Sequence, residues 1–126
     1  MNAHLAVGLA VTAIYAAVIV LVLVLSGKSR NGTLHRNSLA GIRTEATQSS
    51  DTAWRDGQRE GRRRYLLLIP VLAIAAVGSL INSFVGGPFW VFLAIAVACG
   101  SADVAIAATS TAAANRAARS AQHPNA

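Results

Sequence analysis

The sequence predicts an all-α membrane protein with three transmembrane helices and a folded, partly helical cytoplasmic loop between the first two. Hydrophobic residues make up 54% of the 126 residues and charged residues only 13%, whereas a soluble domain usually has about 25% charged residues. Three apolar runs, at about 5–25, 65–85 and 89–108, match the roughly 20 residues that a spanning helix needs. This composition excludes a disordered chain, a disulfide scaffold and an ordinary soluble enzyme. We expect a single membrane domain over 1–126.

The first run, Leu5–Leu25, contains no charged residue. A cleaved signal peptide is the alternative interpretation, but Met1–His4 has no Lys or Arg and no A-x-A site follows the run. We therefore expect this helix to remain in the membrane.

The second and third runs are separated by Gly86-Gly87-Pro88. Glycine permits positive φ and proline cannot continue a helix from the preceding turn, so these runs are predicted to form a tight helical hairpin. Along the third run, small residues form two stripes of the kind that lets helices approach closely in lipid. We expect one stripe to face the other helices and the second to face another subunit; they consist of Ala94, Ala98 and Ala102, and of Ala96 and Gly100.

The basic residues predict the orientation. All eleven Lys and Arg residues lie between 28 and 64 or at Arg116 and Arg119, and none lies at 1–4 or 86–88. Cytoplasmic segments retain Lys and Arg. The N-terminus is therefore predicted outside, with the 27–64 loop and the 109–126 tail in the cytoplasm.

The apolar runs contain one carboxyl side chain, Asp103, and one amide side chain, Asn82. An intramembrane carboxylate costs about 2.5–3.5 kcal/mol on insertion scales and marks a functional or pairing position by default. Alternatively, the third span is shifted and Asp103 lies at the inner headgroups. Asn82, near the outer end of the second span, is interpreted as a boundary amide, with a ligand as the alternative.

The second half of the loop is predicted to be helical from about Asp51, since Ser50 is a favourable N-cap and Asp51 offsets the helix dipole. Asp51 and Arg55, and likewise Glu60 and Arg64, are four residues apart with the acidic residue first. This order favours an ion pair along a helix. Trp54, Gly57, Gly61 and Tyr65 share one stripe, with the arginines elsewhere. We expect this helix to meet the inner membrane surface, where Trp and Arg are both favourable.

The most unusual stretch reads Asn37-Ser-Leu-Ala-Gly41-Ile42-Arg43-Thr44-Glu-Ala-Thr47, followed by Trp54 and Arg59. It resembles the signature of the SdpI family of bacterial membrane proteins, in which Asn-x-x-x-Gly-Ile-Arg-Thr-x-x-Thr precedes a tryptophan and a His-Arg pair. Glu45 and Gln58 depart from that signature, standing where the family often has proline and histidine. The resemblance reaches from about Gly32 to Ala108 and corresponds to the family's C-terminal module. The matched positions are Asn37, Gly41, Ile42, Arg43, Thr44, Thr47, Trp54 and Arg59.

The resemblance implies a location in the bacterial inner membrane and a role in immunity to a toxic peptide or as a receptor for a transcriptional repressor, as for the family's namesake. Independently, Arg43 presents five donors in a planar fork, which suits a carboxylate or phosphate. Three interpretations of Arg43 stay open: binding an anionic lipid headgroup, pairing with Asp103, and docking a cytoplasmic regulator. We expect the Arg43–Asp103 pair, because each is otherwise a lone charge.

Several kinds of site are not expected. His4, His35 and His123 are too dispersed for a metal cluster, and no nucleotide-binding or hydrolase motif occurs. We expect no cofactor, no enzymatic activity and no nucleic-acid partner, since Arg62–Arg64 directly precedes a span and suits anionic lipid.

The predicted function is therefore that of a non-enzymatic immunity or signalling receptor, which binds a cytoplasmic partner or peptide through its inner loop. The alternative is a small accessory or structural subunit of a larger membrane complex. Both functions allow a homo-oligomer.

Overall fold

The computed structural model describes residues 2–31, 34–37 and 41–122. Within these residues the chain is helical and has no strand; its helices are α1 (Ala3–Asn31), α2 (Glu45–Gln48), α3 (Asp51–Tyr65), α4 (Leu68–Val85) and α5 (Phe89–Gln122). Three helical stretches are long and apolar enough to cross a membrane: α1, the Asp51–Val85 stretch that combines α3 and α4, and α5. The predicted fold class is confirmed.

Polar side chains fix where the helices begin. Asn2 accepts a 2.8 Å hydrogen bond from the Leu5 amide at the start of α1. Ser50 accepts one of 3.0 Å from the Ala53 amide, which confirms the predicted start of α3 at Asp51. Such caps satisfy amides that have no partner within the first helical turn.

The helices extend further than the apolar runs. α1 continues to Asn31, and the segment from 109 that was predicted as a tail is the second half of α5 as far as Gln122. Hydropathy indicates where a membrane-spanning segment ends. The helix itself continues as long as its residues have high helix propensity, which is highest for alanine. Residues 123–126, including His123, lie outside the described residues.

The chain divides into two compact units. We call Met1–Leu21 with Leu68–Val104 the apolar unit, and Val22–Leu67 with Ala105–Ala126 the polar unit. The prediction that 1–126 form a single membrane domain stays a prediction. All eleven Lys and Arg residues belong to the polar unit.

The apolar unit is organised around a small core. Leu72, Ala75 and Cys99 are buried together, and Tyr15 and Ile19 of α1 pack against them. Farther towards the N-terminus of α1, the His4 ring lies 5.0 and 5.1 Å from the ring centroids of Phe89 and Phe92. Aromatic contacts at one end and aliphatic contacts at the other hold α1 against the hairpin.

The turn between α4 and α5 uses glycine as predicted. Gly86 has a φ of +67°, a conformation that glycine adopts readily and other residues avoid. The amide of Gly87 donates to the Asn82 carbonyl at 3.1 Å. The side chain of Asn82, which is 6% exposed, donates to the Pro88 carbonyl at 3.2 Å. Asn82 therefore holds the hairpin turn.

The packing face of α5 differs from the prediction. Phe92 and Cys99 are buried, and Ile95 packs on the core. The predicted small-residue stripes lie mostly on the exposed side; Ala94, Ala96, Ala98 and Gly100 are exposed and Ala102 is partly exposed. The expectation that one stripe would face the other two helices is therefore wrong, because larger side chains fill that interface.

Candidate functional site

The signature residues come together in the polar unit, around the loop at residues 41–44. Gly41 begins the loop with a φ of +94°, which glycine adopts without the steric cost of a Cβ. A Cβ there would also lie 2.8 Å from Gln58 Oε1 and 3.1 Å from Trp54 Cη2. Glycine is thus required at 41 both by the backbone conformation and by the close approach of α3.

Gln58 holds the next residue of the loop. Its Oε1 accepts a 2.8 Å hydrogen bond from the Ile42 amide, and its Nε2 donates one of 2.8 Å to the Ile42 carbonyl. Gln58 is only 2% exposed, and such buried amides destabilise a protein unless they are hydrogen-bonded. The paired bonds therefore fix the Ile42 backbone against α3, and the residue noted only as a departure from the family signature is a central support of the loop.

Two threonines shape the segment that follows. Thr44 and Thr47 form a reciprocal capping box at the start of α2, with Thr44 Oγ1 accepting from the Thr47 amide and Thr47 Oγ1 accepting from the Thr44 amide. Thr47 is fully buried and donates to the Ile42 carbonyl at 2.8 Å. Thr44 also donates to the side chain of Asn115 in α5. The signature threonines therefore hold the loop in place; their role in binding a partner or lipid stays a prediction.

Trp54 is 1% exposed, and its indole Nε1 donates a 2.8 Å hydrogen bond to the Leu34 carbonyl. Burial of this ring among protein atoms shows that the expectation of an interfacial tryptophan is wrong. The predicted stripe does mark one face of α3, but the face packs inside the polar unit. Periodicity identified the face, and only the tertiary structure shows what covers it.

The glycines of that face let α3 approach α5. A Cβ at Gly57 would lie 2.7 Å from Thr47 Cγ2 and 3.3 Å from the Ala114 carbonyl. A Cβ at Gly61 would overlap the Ile42 side chain and would lie 3.4 Å from the Ser110 carbonyl. The sequence reasoning missed the α5 residues of this contact. These residues could have been found from a pattern of small residues at four-residue spacing: Ser110, Ala114 and Ala118, all of which are buried.

The remaining signature residues lie at the surface or in local contacts. Asn37 Nδ2 donates to the His35 carbonyl at 2.7 Å, and the Asn37 carbonyl accepts from Gln48 at 2.8 Å. Arg43 and Arg59 are exposed, and neither makes a hydrogen bond or ion pair with the described residues of the polar unit. Among the signature residues, Gly41, Thr44, Thr47 and Trp54 therefore build and support the loop, whereas the side chains of Arg43 and Arg59 are exposed.

Asp51 and Glu60 of α3 form ion pairs with other arginines than those predicted. Asp51 Oδ1 lies 3.6 Å from Arg36 Nε, and Glu60 Oε1 lies 3.6 Å from Arg63 Nη1. The predicted pairs of Asp51 with Arg55 and of Glu60 with Arg64 do not form. Arg62 Nε instead donates to Ser26 Oγ at 2.7 Å and to the Ser26 carbonyl at 3.1 Å.

Asp103 lies in the apolar unit. Its Oδ2 accepts a 3.4 Å contact from the Cys99 thiol, and its buried Oδ1 has no hydrogen-bond partner among the described residues. Arg43 belongs to the polar unit, and the Arg43–Asp103 pair stays a prediction.

Comparison with known proteins identifies the family. The SdpI/YfhL protein family matches residues 33–106, which include the whole loop signature, α2 to α4 and the first half of α5. Among curated proteins and among solved structures, no significant match was found. Because the match covers more than half of the chain and includes the loop that the structure builds, this protein belongs to the SdpI/YfhL family of membrane proteins.

Proposed function

We propose that this chain is a non-enzymatic receptor of the bacterial inner membrane, which binds an acidic cytoplasmic partner through Arg43. The observation that carries the proposal concerns the loop that contains the signature: the polar side chains of Thr44, Thr47 and Gln58 are committed to holding this loop, while Arg43 is exposed. A hydrogen-bonded scaffold around one exposed guanidinium is what a docking loop requires. Immunity or signalling is the role that the family resemblance supports.

The distribution of charge supports a cytoplasmic location for the polar unit. All eleven Lys and Arg residues belong to the polar unit and none to the apolar unit. Basic segments stay on the cytoplasmic side of bacterial membranes. This distribution supports an orientation with the N-terminus outside and the polar unit in the cytoplasm.

The backbone on both sides of Arg43 is held in place. Ile42 is fixed by the two Gln58 hydrogen bonds of 2.8 Å, and Thr44 is fixed as the N-cap of α2. Fixing a binding residue before the partner arrives lowers the entropic cost of association. The planar guanidinium then suits a carboxylate on the partner, with two parallel hydrogen bonds.

The test is capture of stoichiometric partners with the tagged protein in mild detergent from its native membrane. Arg43→Ala is expected to lose a soluble partner, because it removes the guanidinium that is proposed to bind this partner. The loop itself should stay folded, since Arg43 makes no hydrogen bond with the described residues of the polar unit. Arg30→Ala is the matched control, since Arg30 is also exposed and lies in the last turn of α1. Retention of every partner by Arg43→Ala would overturn the proposal.

A second variant tests the scaffold. Gln58→Leu removes both hydrogen bonds to Ile42 but leaves Arg43 in the chain. We expect partner capture to weaken because the loop no longer holds Arg43 in one position. If capture survives Gln58→Leu and is lost in Arg43→Ala, the arginine alone is recognised and the loop geometry is dispensable.

The second candidate function, an accessory subunit of a membrane complex, is favoured by a groove on the apolar unit. This groove, of about 200 Å³, lies between α4 and α5 and is lined by Val71, Ile74, Ala75, Ile95, Ala98 and Cys99. Ala98→Leu is expected to fill it and to release a membrane partner. Ala107→Leu is the control, since Ala107 is exposed on the same helix, lies outside both small-residue stripes and does not line the groove. Unchanged assembly in Ala98→Leu would exclude this function for the groove.

A further inference from the structure

A cavity in the polar unit lies apart from Arg43, at the beginning of α3. Its volume is about 450 Å³, and its lining residues are Leu34, His35, Arg36, Asp51, Trp54 and Arg55. This volume lies within the range of small-molecule sites, roughly 300–1,000 Å³. We call it the Arg36–Arg55 cavity.

One of its two guanidinium groups is held in position. Arg36 Nη1 donates a 3.0 Å hydrogen bond to the Gln48 carbonyl, and Arg36 Nε lies 3.6 Å from Asp51 Oδ1. The second distance is too long for a hydrogen bond, so the ion pair is loose and most of the Arg36 donors stay available. Arg55 is exposed and makes no hydrogen bond or ion pair with the described residues.

The floor of the cavity is rigid and partly apolar. Leu34 and Trp54 are 8% and 1% exposed, and the indole of Trp54 donates to the Leu34 carbonyl at 2.8 Å. The cavity thus offers basic groups at its rim and an apolar surface beneath them. Two arginines against the single carboxylate of Asp51 leave one net positive charge.

We propose that the Arg36–Arg55 cavity binds a phosphate ester. A phosphate offers three acceptor oxygens to the two guanidinium forks, and the volume leaves room for the organic part of the ester over Leu34 and Trp54. The phosphate belongs either to a soluble compound or to a phospholipid headgroup; the chemistry of recognition is the same. The inference does not depend on the role of Arg43.

The experiment uses the full chain in detergent and the fluorescence of Trp54. The protein has two tryptophans, so Trp90→Phe leaves Trp54, in the wall of the cavity, as the only reporter. Titration with glycerol 3-phosphate at fixed salt is expected to change this fluorescence saturably. Arg55→Gln should weaken binding by about tenfold, the loss expected from one hydrogen bond to a charged group.

Two further variants sharpen the result. Asp51→Asn removes the competing carboxylate, which is 81% exposed, and is expected to tighten binding by roughly threefold, since exposed charges interact weakly. Arg116→Gln is the control because it removes one exposed charge of the same unit outside the cavity. If Arg116→Gln weakens binding as much as Arg55→Gln, diffuse charge explains the binding and the proposed site is wrong.

A second arm replaces the soluble ester with nanodiscs of phosphatidylglycerol, with phosphatidylcholine nanodiscs for comparison. A saturable response to glycerol 3-phosphate that Arg55→Gln weakens supports the site with a soluble ligand. A response confined to phosphatidylglycerol nanodiscs, and weakened by Arg55→Gln, supports the site with a lipid headgroup. No saturable response in either arm overturns the proposal.

Discussion

The two units of this protein reach a defined structure by different means. In the apolar unit the side-chain hydrogen bonds are short in sequence, such as Ser83 Oγ to the Ser79 carbonyl at 2.8 Å and Asn82 to Pro88 at 3.2 Å. The polar unit has local bonds too, but several of its side-chain hydrogen bonds join distant segments, as between Trp54 and Leu34, which are 20 residues apart, and between Thr44 and Asn115, which are 71 apart.

This difference indicates which kind of interaction determines the arrangement of helices and loops in each unit. Local hydrogen bonds stabilise single helices and turns, so in the apolar unit the arrangement of α1, α4 and α5 depends on the packing of side chains such as Leu72, Ala75 and Cys99. Long-range bonds between buried groups exclude alternative arrangements, because each leaves an unpaired polar group if it is broken. The polar unit is therefore expected to respond more sharply to single substitutions.

The largest effect is expected for Trp54→Ala. This substitution removes a ring that is 1% exposed, together with its hydrogen bond to Leu34, at a cost of about 3–5 kcal/mol. The measurement is the free energy of unfolding in mixed micelles, followed by circular dichroism. Trp90→Ala is the control in the apolar unit, since Trp90 is 67% exposed; its cost should not exceed about 1 kcal/mol. Equal losses for the two tryptophans would contradict the comparison.

A smaller loss is expected for Gly57→Ala. The new Cβ would lie 2.7 Å from Cγ2 of the fully buried Thr47 and 3.3 Å from the Ala114 carbonyl, and such overpacking costs about 1–3 kcal/mol. Gly100→Ala is the matched control in the apolar unit, because a Cβ there meets nothing within 4 Å. That variant should gain up to about 1 kcal/mol from helix propensity. Thermal unfolding of both variants in the same detergent measures the difference, and a stabilised Gly57→Ala would show that α3 and α5 pack less closely than described.

The smallest effect, of opposite sign, is expected for Asp103→Asn. Because Oδ1 of Asp103 is buried without a partner among the described residues, replacing the carboxyl group with an amide should stabilise the apolar unit by about 1–2 kcal/mol. Asp56→Asn in the polar unit should change stability by no more than about 0.5 kcal/mol. Unfolding in mixed micelles again provides the measurement. A loss of stability in Asp103→Asn would show that the carboxylate has a partner, such as the predicted Arg43.

Features that depend on neighbouring residues were predictable. The three apolar helices, the glycine turn at 86–88 and the start of α3 after Ser50 follow from hydropathy, backbone conformation and capping, which act within a few residues. The stripe of Trp54, Gly57 and Gly61 was also visible as a periodic pattern. What covers the stripe was not, because a pattern on one helix does not name the helix that packs against it.

The sequence by itself therefore determined the fold class, the family resemblance and the concentration of every Lys and Arg in 28–64 and at 116 and 119. Only the tertiary structure decided which signature residues support the loop and which have exposed side chains. Gln58, Thr47 and Asn115 acquire their roles through partners that are 16, 5 and 71 residues away, respectively, and no local propensity encodes such pairings. Hydrogen bonds between distant segments form only once the chain has folded, which is why the exposure of Arg43 had to be read from the structure.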